Sequence, residues 1–136
     1  MTTGAVLLDT NALLWLLVDP DQIAPEVRDH LAAPSTRLIV SAVTAWEVAI
    51  KTRAGKLPGG EALLAGWDET LSRIRAEDID VTAADAIMAG GLPWPHRDPF
   101  DRMLVAQAAR RGLTLASSDA AVLAGAMSPT LDTQRR

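Results

Sequence analysis

Cysteine is absent from the 136 residues of this chain. That excludes a disulfide framework and a thiolate zinc site, leaving oxygen and histidine as metal donors. Histidine is itself scarce, with only His30 and His96. Hard divalent ions such as Mg2+ and Mn2+ are therefore the natural candidates for any bound metal. No apolar stretch is long enough to cross a membrane, and the start has no basic segment leading into an export-type apolar run, so the cytoplasm is the expected location. An excess of positive charge is missing too. The formal net charge of -4 argues against general coating of nucleic acid, although acids clustered at a metal site would mask a basic surface elsewhere. Internal repeats, low-complexity tracts and interdomain linkers are also lacking.

What remains is a chain that is 49% hydrophobic and 22% charged, long enough for one domain that buries roughly two thirds of its unfolded surface. Ala5 to Leu8 reads as a strand, and Asn11 to Val18 as a helix that Pro20 stops. Pro25 to Leu31 predicts a second helix and Leu38 to Val40 a buried strand. Ser41 predicts the N-cap of a helix that runs to Arg53 and ends before Gly55. From Glu61 to Arg75, apolar residues at three- and four-residue steps predict one amphipathic helix. Ile79 and Val81 mark a third strand, Thr82 caps a helix to Ala89, and 90–95 forms the long loop. Pro99 to Arg111 predicts a strong helix closed by Gly112, with a strand over 113–116 and a last helix over 120–126. The stretch 128–136 has little apolar signal and is expected to be a C-terminal tail that could be partly disordered. Repeated strand-helix units with fully apolar strands imply an α/β fold, a short parallel sheet flanked by helices on both faces. In such sheets ligands bind beyond the carboxyl ends of the strands, where the strand order reverses.

Acids fall at that edge: Asp9 after the first strand, Glu47 on the helix leaving the second, Asp98 and Asp101 at a helix start, and Asp119 after the fourth strand. Each also has a plainer reading. Asp9 suits an N-cap, a role that Thr10 could fill instead, and Glu47 with Lys51 four residues on suits a helical surface pair. Val43, Trp46 and Ile50 are expected to form the buried stripe of that helix, with Glu47 at its margin. In Asp98-Pro99-Phe100-Asp101 the first acid is expected chiefly as the cap and the second chiefly as a ligand. Asp119 could cap the last helix, in competition with Ser117 and Ser118. Two carboxylates about 4 Å apart repel by roughly 4 kcal/mol at the effective dielectric of a protein site. Without a cation such a set takes up protons or loosens.

His96, beside Trp94 and Pro95, reads as a loop packing residue or as a general base, and His30 as a surface residue. Trp15, Trp46 and Trp67 are expected at core or dimer contacts, although all four tryptophans could stack bases. Lys51, Arg53, Lys56, Arg97 and Arg102 flank the acids, either as a solvated face or as a rim for RNA phosphates.

The order and spacing of these motifs resembles that of PIN-domain ribonucleases, and within them the VapC-type toxins of bacterial type II toxin-antitoxin pairs. The resemblance runs from LLDTNALLWLL through SAVTAWEVAIKTRAGKL and LPWPHRDPFDRMLVAQA to GLTLASSD. It implies a PIN-like nuclease domain over 1–127. It also implies that Asp9, Glu47, Asp101 and Asp119 bind Mg2+ or Mn2+, with Asp98 an additional acid of this branch. Asn11, Ser41 and Ser117 match the polar residues that support the acids. The implied activity is endonucleolytic cleavage of RNA by a metal-activated water, in a homodimer inhibited by a cognate antitoxin. Two other classes stay open on the residues alone. One is an aspartate-nucleophile phosphatase built on Asp9, though Asn11 stands where such sites usually carry a second acid. The other is a non-catalytic RNA- or protein-binding module whose acids are only helix caps.

Overall fold

The computed structural model describes residues 4–135. Strands β1 (Ala5–Leu8), β2 (Arg37–Ser41), β3 (Ala76–Ile79), β4 (Thr114–Ser117) and β5 (Thr130–Asp132) form one sheet in the order β3-β2-β1-β4-β5. All neighbours run parallel. Parallel neighbours need crossovers, which the intervening helices supply: α1 (Thr10–Val18), α2 (Pro25–Ala32), α3 (Ala42–Arg53), α4 (Gly60–Ala65), α5 (Trp67–Arg73), α6 (Ala83–Gly91), α7 (Pro99–Arg111) and α8 (Ala120–Gly125).

Strand alternation divides the core into two layers. Val6, Leu8, Leu38 and Val40 face α1, α2 and α5 through Leu13, Val27, Leu31 and Leu71. Leu7, Ile39 and Leu115 face α3, α6, α7 and α8 through Val43, Ala89, Leu104, Val105 and Val122. Leu7, Leu8 and Leu115 are fully enclosed, each such burial contributing about 1.5–3 kcal/mol. This is the α/β sheet covered on both faces that apolar strands require. Strand order reverses between β1 and β4, so the carboxyl ends of those two strands open the crevice where Asp9 and Asp119 follow.

Three expectations are corrected. The helix predicted over Glu61 to Arg75 is two, α4 and α5, parted at Gly66, where glycine is the poorest helix former short of proline. The third strand is β3, earlier than Ile79 and Val81 suggest. It pairs only with β2 and exposes Glu77 and Asp78, so an edge strand leaves no apolar run to read. The stretch from Ser128, expected as a tail, contributes β5, which pairs with β4 from Leu115↔Thr130 to Ser117↔Asp132. Among the described residues no helix is long and apolar enough to cross a membrane.

One buried acid ties α6 to α7 away from the carboxyl edge. Asp85 closes a capping box with Thr82 and accepts from Gln107 (3.0 Å), Arg110 (2.7 Å) and Arg111 (2.8 Å). Burial pushes its carboxyl up, but the bonds from Gln107, Arg111, the Thr82 backbone and Arg110 outweigh that and hold it well below the usual range. Asp85→Asn is expected to cost about 2–3 kcal/mol at pH 7 in urea denaturation. Because the folded pKa is depressed, this contribution is complete above about pH 4 and declines as the pH falls further. The gap between wild type and variant should therefore be narrower at pH 2.5 than at pH 7; a constant gap would contradict the charge assignment.

Candidate active site

β1 delivers Asp9 as the N-cap of α1, with its Oδ1 accepting from the Ala12 N–H at 2.7 Å. The fully buried Ser117 hydroxyl also bonds to Asp9. Only 6% of Asp9 is exposed. Burial pushes its carboxyl up to about 6, with the Ser117 and Ala12 bonds opposing and the charges of Asp101 and Glu47 adding to the rise. Cap and site readings therefore coexist at Asp9, since the cap bond uses Oδ1.

Thr10, considered above only as a rival cap, instead donates to Glu47 Oε1 at 2.5 Å. Glu47 is 7% exposed, and Lys51 Nζ lies 2.6 Å from its Oε2. Of the stripe expected to be buried on α3, only Val43 is inside. Trp46 and Ile50 are 59% and 44% exposed, with Trp46 edge-to-face on Phe100, while Glu47 points inward. A glutamate is tolerated inside because a hydroxyl and an ammonium satisfy both of its oxygens. Ser41 caps α3 through the Val43 N–H at 3.1 Å and so fixes the start of the helix that carries Glu47.

At the start of α7, Asp98 Oδ1 accepts from Phe100 N and Asp101 N, the expected cap. Asp101 has no capping bond of its own and meets His96 Nε2 at 2.7 Å. Burial raises the Asp101 carboxyl, the His96 hydrogen bond and charge oppose it, and the charges of Asp98 and Asp119 add to the rise. Asp119 caps α8 through Ala121 N and Val122 N, and its own N–H donates to Ser117 Oγ. Asn11 Nδ2 donates to Ser118 Oγ across the opening at 3.2 Å.

These elements meet in one cleft of about 480 Å³, lined by Asp9, Glu47, Asp98, Asp101 and Asp119 together with Thr10, Asn11, Lys51 and Ser118. Of the basic residues expected at a phosphate rim, Lys51 lines the cleft and Arg53 and Arg97 do not. Arg102 is turned away from that role. Its guanidinium donates to the carbonyls of Ala89, Gly90, Leu92, Trp94 and His96, which accounts for all five of its N–H groups. Arg102 is thus the clamp of the 90–96 loop. Trp94 in that loop stacks on His96 and sits against Gly125, where an added Cβ would lie 2.3 Å from the ring. His96 is both a packing residue and the partner of Asp101. His30 is half-buried and accepts from Thr36 through its carbonyl.

The donor set fits a hard divalent cation. It is all oxygen, and two of its members carry raised pKa values to which neighbouring acids contribute. Among the described residues no three acids or histidines close into a compact ligand cage; the acids stand around the cleft, each steadied on one side by its own partner. Thr10 is the polar cleft residue whose bond to an acid sequence reasoning did not anticipate. Nothing local marks the Thr10 contact, which spans 37 positions.

The raised Asp9 pKa makes a stability prediction. The folded state binds this proton more tightly than the unfolded chain, so stability falls as pH rises from about 4 to about 6, and the cost persists above that. In chelator-treated protein, Asp9→Asn keeps a cap acceptor and should be more stable than wild type at pH 7.5, by about 1–3 kcal/mol. The difference should vanish below pH 4. Denaturant titration at the two pH values measures it, and a destabilised variant at pH 7.5 would refute the cost of the buried Asp9 charge.

Comparison with known proteins agrees with this fold. The chain is similar in structure to VapBC2 from Rickettsia felis, crystallised bound to a DNA fragment from its promoter. The TM-score is 0.71 at 18% identity, over 96% of this chain and 99% of that one. It is likewise similar to DNA-bound VapBC from Salmonella typhimurium, with a TM-score of 0.70 at 22% identity over 97% and 98% of the two chains. A third likeness, to FitAcB from Neisseria gonorrhoeae, has a TM-score of 0.60 at 17% identity over 93% and 96%. No curated protein matches the sequence. The family model for the PIN domain matches residues 6–124, a span that contains all five acids of the cleft, and the chain belongs to the PIN-domain family.

Proposed function

We propose that this protein is a Mg2+- or Mn2+-dependent endoribonuclease, the toxin of a type II toxin-antitoxin pair. One observation carries the reading: four separate segments of the chain bring Asp9, Glu47, Asp101 and Asp119 into a single cleft at the carboxyl edge of the sheet. When bound there, the ion supplies polarisation of a phosphate oxygen and a water acidified towards neutrality. Asp9 and Asp101 offer their remaining carboxylate oxygens to it. Thr10 keeps Glu47 aimed inward, and His96 holds the Asp101 side chain in place. Lys51 brings the cleft's ammonium, which can leave Glu47 for a phosphate oxygen of the substrate. The exposed lip at Asp98 and Asp119 leaves the cleft open to a polymer. Hydrolysis adds water across one P–O bond of the RNA backbone and yields a phosphate end and a hydroxyl end.

Membership of the PIN family and the likeness to VapBC and FitAcB chains support the toxin assignment, and with it a cognate antitoxin and a cytoplasmic site of action. The exposed Trp46 and Ile50 give α3 an outward apolar face beside the cleft, which supports the homodimer. The binding-module reading keeps one point in its favour, because Asp9, Asp98 and Asp119 do cap helices.

Antitoxin-free protein incubated with end-labelled RNA separates the two. Cleavage is expected in Mg2+ or Mn2+, abolished by EDTA, and reduced at least about 100-fold by Asp101→Asn. Full cleavage by that variant would remove Asp101 from the site, and no cleavage together with no metal binding would return the acids to capping. Asp98→Ala should instead cost about 1 kcal/mol of stability with little change in Mn2+ affinity; lost Mn2+ affinity at unchanged stability would reverse the roles of the two acids.

A further inference from the structure

A second pocket, of about 380 Å³, lies at the opposite, amino end of the sheet, bounded by Arg37 at the start of β2 and Glu77 in β3. Four arginines line it: Arg28, Arg37, Arg73 and Arg75. In a chain of net charge -4 this is a local concentration of positive charge. Two of the four are paired, Arg28 with Asp21 at 2.9 Å and Arg37 with both oxygens of Glu77 at 2.9 Å. Arg73 meets only the Thr70 hydroxyl, at 3.3 Å, and Arg75 has no side-chain partner among the described residues. The same pocket is lined by the apolar side chains of Leu16, Leu31, Leu38 and Ile74.

Arg75 carries an independent signal. It has φ 56°, the one positive φ at a non-glycine position among the described residues. The turn between α5 and β3 asks for glycine there, so the arginine occupies a left-handed position that opposes its own Cβ. A left-handed residue is an ordinary close to a helix such as α5, and here that position carries an arginine that lines the pocket and has no side-chain partner among the described residues.

We propose that this pocket binds a phosphate monoester attached to a flat, largely apolar body, that is, a nucleotide. Arg75 presents an unpaired planar fork among the described residues and Arg73 one that is bound only through Nη2 to Thr70, and such forks suit a phosphate bidentately. The apolar walls suit the face of a base, which guanidinium planes also stack upon. A purely carboxylate-rich peptide would use the charge and leave the apolar walls unmatched. The source of the nucleotide is either free mononucleotide or the phosphorylated end of an RNA strand. The proposal is independent of the acidic cleft at the other end of the sheet.

The test is calorimetric titration of the full chain in EDTA, which keeps RNA intact. The ligands are adenosine 5'-monophosphate, adenosine, inorganic phosphate, a short RNA with and without a 5'-phosphate, and a polyglutamate peptide. Saturable binding of the monophosphate is expected, at least about tenfold tighter than adenosine or phosphate alone. Arg75→Gly should weaken it about tenfold without lowering the melting temperature, because glycine relieves the backbone. Arg73→Ala should weaken it comparably, and Lys56→Ala should leave it unchanged. Tighter binding of the 5'-phosphorylated RNA than of the mononucleotide identifies a strand end as the ligand, and the reverse order identifies free nucleotide. The proposal is overturned by no saturable binding, by equal binding of 5'-hydroxyl RNA, by tighter binding of polyglutamate, or by full affinity in Arg75→Gly.

Discussion

Burial of carboxylates that also repel one another at one sheet edge is the constraint around which this molecule is organised. Asp9 is nearly enclosed and feels Asp101 and Glu47, while Asp101 in turn feels Asp98 and Asp119. Burial is the largest cost at both carboxyls, and the charges of the neighbouring acids add to it. A domain with typical stability of about 5–15 kcal/mol can hold such a set only by opposing it locally. The opposition is visible residue by residue: Ala12 N–H and Ser117 on Asp9, Thr10 and Lys51 on Glu47, His96 on Asp101.

Helix capping is the device that makes this arrangement affordable in backbone terms. Asp9, Asp98 and Asp119 each give Oδ1 to the N–H groups that open α1, α7 and α8. Those N–H groups would otherwise lack partners, and the positive end of each helix dipole favours the acid beside it. The second oxygen of each carboxylate is held in a fixed direction by the first. Capping and ligation are therefore two uses of one side chain, which is why asking whether an aspartate is structural or functional gives no single answer here. The 90–96 loop follows the same economy. Arg102 gathers four of its carbonyls together with that of Ala89, and the loop so fixed carries Trp94 and the His96 that meets Asp101.

Much of this could be read from the chain because its signals are local. Pro99 and Gly112 bound α7, Ser41 and Gly55 bracket α3, and both helices lie where their caps put them. The four aspartates could be assembled from sequence because each follows a strand or opens or lies in the first turn of a helix, and Glu47 because it lies on the helix leaving the second strand; a parallel sheet places those positions on one edge. Features that depend on tertiary neighbours were not legible. Periodicity marked Trp46 as buried and Glu47 as marginal, yet α3 turns the glutamate toward Thr10 and leaves the tryptophan outside. β3 and β5 lie at the sheet edges, where one neighbour suffices and no apolar run is needed. Arg102 looked like a cation beside acids, and only the folded loop shows that its donors are consumed.

The most direct test of the central claim is calorimetric titration of Mn2+ into chelator-treated protein at pH 6, in two buffers of different ionisation enthalpy. If the carboxylates form a cation site strained by their own charge, Mn2+ binds saturably. It also displaces about half a proton, the share that Asp9 holds when its pKa is about 6. Asp9→Asn should lose that proton release along with most of the affinity. Absence of saturable binding, or binding with no proton released, would contradict the account.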